Sequence, residues 1–169
     1  ILPVTLGGLL FIDNDSGGGQ NNGVREGTEP GVTGIAVDLY QLANATDVVD
    51  PTTTVPLTST TTGAGGIFGF PGLTPGHYAV VVPNTVFQSG APLFGFANST
   101  GNDPASDPDD NIDNDDNGTT LGSGDVVSGT ITLQSNAEPT NDDDTDPNTN
   151  TTVDFGFFPQ IDLAVTKTL

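Results

Sequence analysis

The acidic residues of this chain are concentrated in three glycine-, asparagine- and proline-rich segments, and that distribution limits how the chain can fold. The chain has 22 Asp and Glu against 2 Lys and Arg, for a formal charge of −20. Sixteen of these acids lie in a first acidic loop (13–29), a second (101–118) and a third (138–150). A compact fold with this charge repels itself. Disorder, high salt or bound cations must therefore offset the repulsion.

Disorder is the simplest outcome for an acidic chain rich in Gly and Pro, but the apolar segments between the acidic loops are regular. They alternate or form short runs of Val, Ile, Leu and Phe, as β-strands do, and helical spacing is nearly missing. Seven strands are predicted, at 5–12, 34–42, 55–61, 66–70, 76–82, 126–133 and 151–158. Short strands joined by polar loops predict an all-β protein that forms a single antiparallel β-sandwich.

Three of these segments carry more specific expectations. Ile35, Val37 and Leu39 share one side of a strand, with Tyr40 out of phase. The run 77–82 is continuously apolar after its first residue and is predicted to be covered on both faces. The Thr-rich segment 51–62 is predicted to be an exposed hairpin or an edge strand.

Both ends of the chain carry apolar segments that divide it into three parts. Residues 1–6 are predicted to be an N-terminal arm or first strand, 7–158 the sandwich, and 159–169 a C-terminal linker strand. The last part alternates Ile161, Leu163 and Val165 with polar or small residues, so it has one apolar face. It either begins a following module or is donated to a neighbouring copy of the chain.

The spacing of oxygen-bearing residues in the first acidic loop indicates a calcium site. Calcium takes six to eight oxygens, in a familiar loop from positions 1, 3, 5, 7, 9 and 12 with Gly at 6. With Glu29 at position 12, Gly23 falls at 6, where the chain must turn tightly. Position 1 is filled by Asp13 only if about five residues are inserted after it. The predicted ligands here are Asp13, Asn22, the Val24 carbonyl, Glu26 and Glu29. The alternative is a solvated acidic loop.

The other two acidic loops do not fit this spacing, but loops at the ends of sandwich strands cluster in space. Their predicted ligands are Asp109, Asp113, Asp115, Glu138, Asn141, Asp142 and Asp144. Two or three calcium ions are expected in all. Magnesium is less suitable because it requires tighter octahedral geometry and keeps its waters.

Several segments together resemble a known family. They are 10–13, 21–39, 65–80, 113–118, 138–142 and 152–157. In this order they resemble SdrD B-like domains, modules of bacterial cell-surface adhesins related to the collagen-adhesin B-type fold. The resemblance covers roughly residues 7 to 158. It implies an immunoglobulin-like, calcium-loaded, extracellular sandwich at the bacterial surface that acts as a rigid stalk or spacer. Some relatives form a Lys–Asn isopeptide bond, but here the only Lys is Lys167, in the tail.

The composition disfavours other classes of function. Nucleic acid would be repelled, and no basic patch exists to bind it. Cys is absent and His77 is the only His, so a His/Cys zinc site is unavailable and no enzyme is predicted. No stretch approaches the roughly 20 apolar residues that span a bilayer. The expected partners are neighbouring modules or copies of the chain.

An alternative function is a ligand-binding adhesin that recognises a glycan or a protein. Its expected sign is an exposed apolar patch, for which Phe87, Leu93, Phe94 and Phe96 are candidates. The same four residues are also suited to capping the core.

Overall fold

The computed structural model describes residues 2–14, 20–101, 106–142 and 144–160, and it confirms the all-β sandwich. Two short 3-10 turns, Ala64–Gly66 and Asn84–Phe87, accompany the strands. The strands are β1 (Val4–Ile12), β2 (Ala36–Leu42), β3 (Thr58–Thr61), β4 (Ile67–Leu73), β5 (Gly76–Val82), β6 (Phe96–Asn98), β7 (Gly118–Thr120), β8 (Val126–Ser128), β9 (Ile131–Leu133), β10 (Thr149–Asn150) and β11 (Phe155–Pro159).

The strands form two sheets. In the first sheet the order is β10-β1-β11-β6, and β4 also pairs with β1. In the second sheet the order is β3-β2-β5-β8-β7, and β9 also pairs with β5. The Thr-rich strand β3 therefore lies at an edge, as its composition predicts.

The first sheet is mixed, which differs from the purely antiparallel prediction. β10 and β11 run parallel to β1, with Leu10 opposite Phe155 and Ile12 opposite Phe157. The chain reaches β10 from β9 in the second sheet, by way of the third acidic loop. A crossover of this length is not bound by hairpin geometry, so the returning strand can enter parallel to β1.

The main core lies between the two sheets. Leu10 of β1 and Phe155 of β11 are fully buried there against residues of the second sheet such as Val80. Ile35, Val37 and Leu39 all belong to this core, which confirms their predicted common side. A second apolar cluster covers the outer face of the second sheet. It consists of Tyr40, Val49, Ala79, Val81 and Val127.

β5 supplies buried residues to both clusters, so the prediction that this strand is covered on both faces is confirmed. Val49 reaches the outer cluster from the connection between β2 and β3. The second sheet is thus closed on its outer side by apolar contact.

Two predicted strands differ from the observed ones, since one is divided and the other begins four residues later. The segment 126–133 forms β8 and β9, separated by Gly129 and Thr130. The segment 151–158 contains an excursion at 151–154 between β10 and β11, in which Val153 enters the core. β6 and β7 were not predicted because each has only three residues with little apolar alternation. The predicted C-terminal strand at 161–169 lies outside the described residues.

Candidate cation site in the acidic loops

The first and second acidic loops lie side by side. The Arg25 N–H donates to the Asn114 carbonyl, and the Asp116 N–H donates to the Gly23 carbonyl, both at 2.7 Å. Gly23 has a φ of 75°, which confirms the predicted tight turn at this position. Residues 89 to 93 positions apart in the chain are thereby brought into contact.

Asp13 anchors the first acidic loop at the end of β1. Its side chain is fully buried. Oδ2 accepts hydrogen bonds from the Gly23 N–H at 2.8 Å and from the Ser99 hydroxyl at 2.7 Å. Oδ1 accepts a longer bond of 3.3 Å from the Asn22 N–H. The predicted first ligand of the loop therefore serves here as an acceptor that joins β1, the first loop and the segment after β6.

Asp116 is a second buried carboxylate, and it was not among the predicted ligands. Its Oδ1 accepts from the backbone N–H groups of Gly118 at 3.1 Å and Gly156 at 3.0 Å. Its Oδ2 accepts from the Asn98 side-chain amide at 3.0 Å. Burial raises the pKa of Asp116 to about 7, although these hydrogen bonds act in the opposite direction.

Asp154 is a third buried carboxylate. Its side chain accepts a backbone hydrogen bond from β1 in place of a carbonyl of a neighbouring strand. Its Oδ1 accepts from the Leu9 N–H at 2.8 Å, and its Oδ2 accepts from the Asn114 N–H at 2.7 Å. Burial raises its pKa well above the ordinary value, and the neighbouring Asp113 raises it further. The signal that could have found it is an acid inside the otherwise apolar end of the predicted strand 151–158.

Gly156 completes this region by allowing a close approach. A Cβ at this position would lie 2.7 Å from the Ser99 hydroxyl oxygen and 2.9 Å from the Phe11 ring. The Asp-Phe-Gly-Phe sequence at 154–157 thus contains a buried carboxylate, that of Asp154, and a glycine, Gly156, whose position has no room for a side chain.

Asp115 in the second acidic loop has a buried oxygen that lacks a donor. The residue is 5% exposed, and its Oδ1 has no hydrogen-bond partner within the described parts of the chain. Burial raises the pKa of Asp115, and repulsion from Asp110 and Asp113 adds to that effect. A positive charge placed here would relieve both contributions.

The third acidic loop is fastened to the segment after β10. Asp142 accepts from the Thr151 N–H through Oδ2 at 2.8 Å, and the Thr151 hydroxyl donates to the Asp142 carbonyl. The Asp142 Oδ1 is buried and has no partner among the residues described. Glu138 accepts from the Gln134 N–H at 2.5 Å.

A cavity of about 250 Å³ lies where the three acidic loops approach β1 and β4. It joins carboxylates of the second and third loops with a guanidinium of the first and with apolar side chains of the sheet. The charged and large apolar residues that line it are Leu9, Arg25, Ile67, Asp113, Asp142 and Asp144.

The remaining predicted ligands are dispersed. Glu29 accepts from the Glu26 N–H at 2.9 Å, and Asn22 accepts from the Val24 N–H at 2.8 Å, so these contacts stay within the first loop. Asp109 instead accepts from the Thr132 N–H in β9.

Asn141 is exposed. Across 2–14, 20–101, 106–142 and 144–160, no three Asp, Glu or His side chains are grouped closely enough to hold a metal ion. The calcium ligand set therefore stays a prediction.

The structure also places His77 and the four residues that were considered for an adhesin patch. His77 Nδ1 lies 3.2 Å from the Thr132 hydroxyl across the β5–β9 pair. Leu93 is buried in the core, and Phe87 and Phe96 pack against it, whereas Phe94 is 60% exposed. Three of the four residues considered for an adhesin patch therefore cap the core.

Comparison with known proteins gives several similar solved structures, among them the following two. The first is the crystal structure of group B streptococcus pilus 2b backbone protein, with 18% identity and a TM-score of 0.44, over 94% of this chain and 42% of that chain. The second is GBS52, the minor pilin of the Gram-positive pathogen Streptococcus agalactiae, with 13% identity and a TM-score of 0.37, over 99% and 50%.

The chain thus spans half or less of the length of these proteins. No family model and no curated protein matches it. Within the described residues, no helix is long and apolar enough to cross a bilayer.

Proposed function

We propose that this chain is a non-enzymatic structural module of a bacterial surface fibre or adhesin, and that calcium stiffens it. The observation that carries the proposal is the use made of buried acids. Asp13, Asp116 and Asp154 each accept hydrogen bonds from two or more separate segments. Their oxygens are used to hold strands and loops together, which is a structural role.

The calcium part of the proposal is supported by Asp115. A buried carboxylate oxygen without a donor favours a cation, and Asp110 and Asp113 add negative charge nearby. Calcium completes its coordination with carbonyl, amide and water oxygens, so one site does not require three acids. Three bound ions would lower the formal charge from −20 to about −14 and so reduce self-repulsion.

The same chemistry supports the proposal of an extracellular location. Sites made from dispersed ligands on long loops are expected to bind weakly, in the range of about 10⁻⁴ to 10⁻³ M that is typical of extracellular modules. Such sites fill where calcium is millimolar. The resemblance to SdrD B-like surface domains supports the same location.

The proposed partners are neighbouring modules or further copies of the chain. β3 and β7 are the outermost strands of the second sheet, and among the described strands β4 pairs only with β1 in the first sheet. An outermost strand offers unpaired backbone groups to an added strand. The alternating segment 161–169 is proposed to make such an addition, either between tandem modules or between subunits of a filament. The other predicted donor, the N-terminal arm 1–6, is largely used by the chain itself, because β1 begins at Val4 and pairs there with β4.

The test compares two variants that remove the same charge. Asp115→Asn should weaken calcium binding at least tenfold by calorimetry, because it removes the charge of the buried oxygen. Asp50→Asn should bind calcium like the wild type, since Asp50 lies in the exposed connection between β2 and β3. For the wild type, calcium at 100 times its dissociation constant should add about 2.7 kcal/mol of stability per site.

A melting temperature that is the same in calcium and in EGTA would contradict the calcium role. Equal loss of calcium binding in both variants would also contradict the assignment to Asp115, because it would indicate a diffuse effect of net charge. The metal-free melting temperature of Asp115→Asn serves as the folding control. It should equal or exceed that of the wild type, because the variant removes an unfavourable buried charge.

A further inference from the structure

The position of Lys167 is unusual for the only lysine in the chain. In the alternating segment 161–169 it has the same parity as Ile161, Leu163 and Val165. If this segment forms the strand that its pattern predicts, the ammonium group lies on the apolar face. The surface that covers such a face must be apolar and must also present a carboxylate.

The cavity beside β1 and β4 has this combination. Leu9 and Ile67 supply apolar surface, and Ile67 is 61% exposed, so an incoming side chain can reach it. Asp113, Asp142 and Asp144 supply carboxylates. These three outnumber the single guanidinium in the wall.

That guanidinium belongs to Arg25 and has other contacts. Its Nε lies 3.4 Å from the Glu29 carbonyl oxygen, and its Nη1 lies 3.4 Å from the Asn114 side-chain oxygen. With three carboxylates against one guanidinium, the cavity has a negative balance of charge, which attracts a further cation.

Asp142 lines the cavity and has a carboxylate oxygen that lacks a donor among the described residues. The residue is 2% exposed, and its Oδ2 is occupied by the Thr151 N–H. Its Oδ1 is buried without a hydrogen-bond partner in the described chain. A buried charged oxygen in this state is unfavourable, and a lysine ammonium supplies three donors on a flexible apolar stem.

We propose that this cavity receives Lys167 from the C-terminal segment of a second copy of the chain. The direction of β11 favours a second copy over the same one. β11 begins beside Leu10 and runs towards Pro159, away from the level of Leu9 and the cavity. The inference rests on the proposed role as a fibre building block, and it names the two surfaces that join neighbouring copies.

The test measures self-association of the full chain by sedimentation velocity in about 0.15 M salt, where the Debye length of about 8 Å limits the repulsion between copies. Lys167→Gln and Asp142→Asn should each weaken association at least tenfold. Asp50→Asn, which removes the same charge as Asp142→Asn from a distant loop, should associate like the wild type.

A mixing experiment tests whether the contact joins two copies. The Lys167→Gln variant keeps an intact cavity, and the Asp142→Asn variant keeps an intact tail. Mixed together, they should form one-to-one complexes that neither forms alone. If the tail of each copy occupies its own cavity, the mixture will remain monomeric, and the proposal is overturned.

Other results also decide the matter. A wild type that stays monomeric at all concentrations, or a Lys167→Gln variant that associates normally, overturns the proposal. So does an Asp142→Asn variant that loses calcium binding while it keeps its association, because the cavity would then hold the metal. If Asp142→Asn fails to fold, the Lys167→Gln result is decisive, since Lys167 lies beyond β11.

Failure of the calcium proposal would give a different set of experimental results. In that case the melting temperature would not respond to calcium, while the Lys167-dependent association would persist. The two proposals therefore fail separately.

Discussion

The two sheets are joined to their neighbouring segments by different chemistry. On the second sheet, Val49 closes an apolar cluster with Tyr40 and Val81. Beside β1 in the first sheet, the covering segments are held by carboxylates such as Asp154, which accepts a hydrogen bond from the Leu9 N–H. Apolar contact depends little on pH or ions, whereas the energy of a buried carboxylate depends on both.

The comparison shows where this acidic chain is sensitive to its surroundings. Burial raises the pKa values of Asp116 and Asp154, so ionising them in the folded state costs free energy. The region of the first sheet that is held by carboxylates should therefore respond to protons and cations, and the apolar cluster on the second sheet should not.

The largest expected effect is a dependence of stability on pH in metal-depleted buffer. Asp116 has an ordinary pKa of 3.8 and a folded-state pKa of about 7. Between these values the folded state binds more protons than the unfolded state, so stability is greatest below the lower value and falls as pH rises towards 7. A shift of about three units corresponds to about 4 kcal/mol. Urea denaturation at a series of pH values measures this change.

Loss of self-repulsion at low pH has the same sign, so a matched pair of variants is needed. Asp116→Asn should flatten the pH dependence much more than Asp50→Asn, although each removes one charge. Stability that is constant or rises between pH 4 and 7 would show that Asp116 does not carry this cost.

The next effect is the loss of the Asp154 acceptor. Asp154→Ala leaves the Leu9 and Asn114 N–H groups without their partner. Since an unsatisfied buried polar group costs about 1–3 kcal/mol, the expected destabilisation is about 3 kcal/mol by urea denaturation. Asp154→Asn retains one acceptor oxygen and should cost less. A destabilisation below about 0.5 kcal/mol for the alanine variant would show that the Asp154 hydrogen bonds contribute little to stability.

The smallest effect is on the apolar side, and it completes the comparison. Val49→Ala removes two buried methylene equivalents and should destabilise the protein by about 1.5 kcal/mol. The loss should be the same at pH 5 and pH 8, and with or without calcium. A loss that changed by more than about 0.5 kcal/mol between these conditions would show that the two sides are not independent.

Much of the fold was predictable because strong apolar alternation reports burial directly. The side shared by Ile35, Val37 and Leu39 and the two-sided burial of β5 follow from local pattern alone. β6 and β7 were missed because three residues cannot establish a period.

The buried carboxylates were harder to predict. Asp154 meets Leu9 across 145 positions of the chain, and Asp116 meets Gly156 across 40. An acid in a polar loop has the same local pattern whether tertiary contacts bury it or leave it in water. The acidic loops and Asp13 could thus be found from the sequence, and Asp154 was visible as an acid in an apolar segment, but Asp116 could not be told from its neighbours in the second loop.

The parallel pairing of β1 and β11 has a mechanical consequence. Tension applied through Val4 and Pro159 pulls these two strands past each other along their length. The backbone hydrogen bonds between them are then loaded together in shear, and the Asp154 link to Leu9 shares the load. Such a pair resists extension better than strands that peel apart one bond at a time.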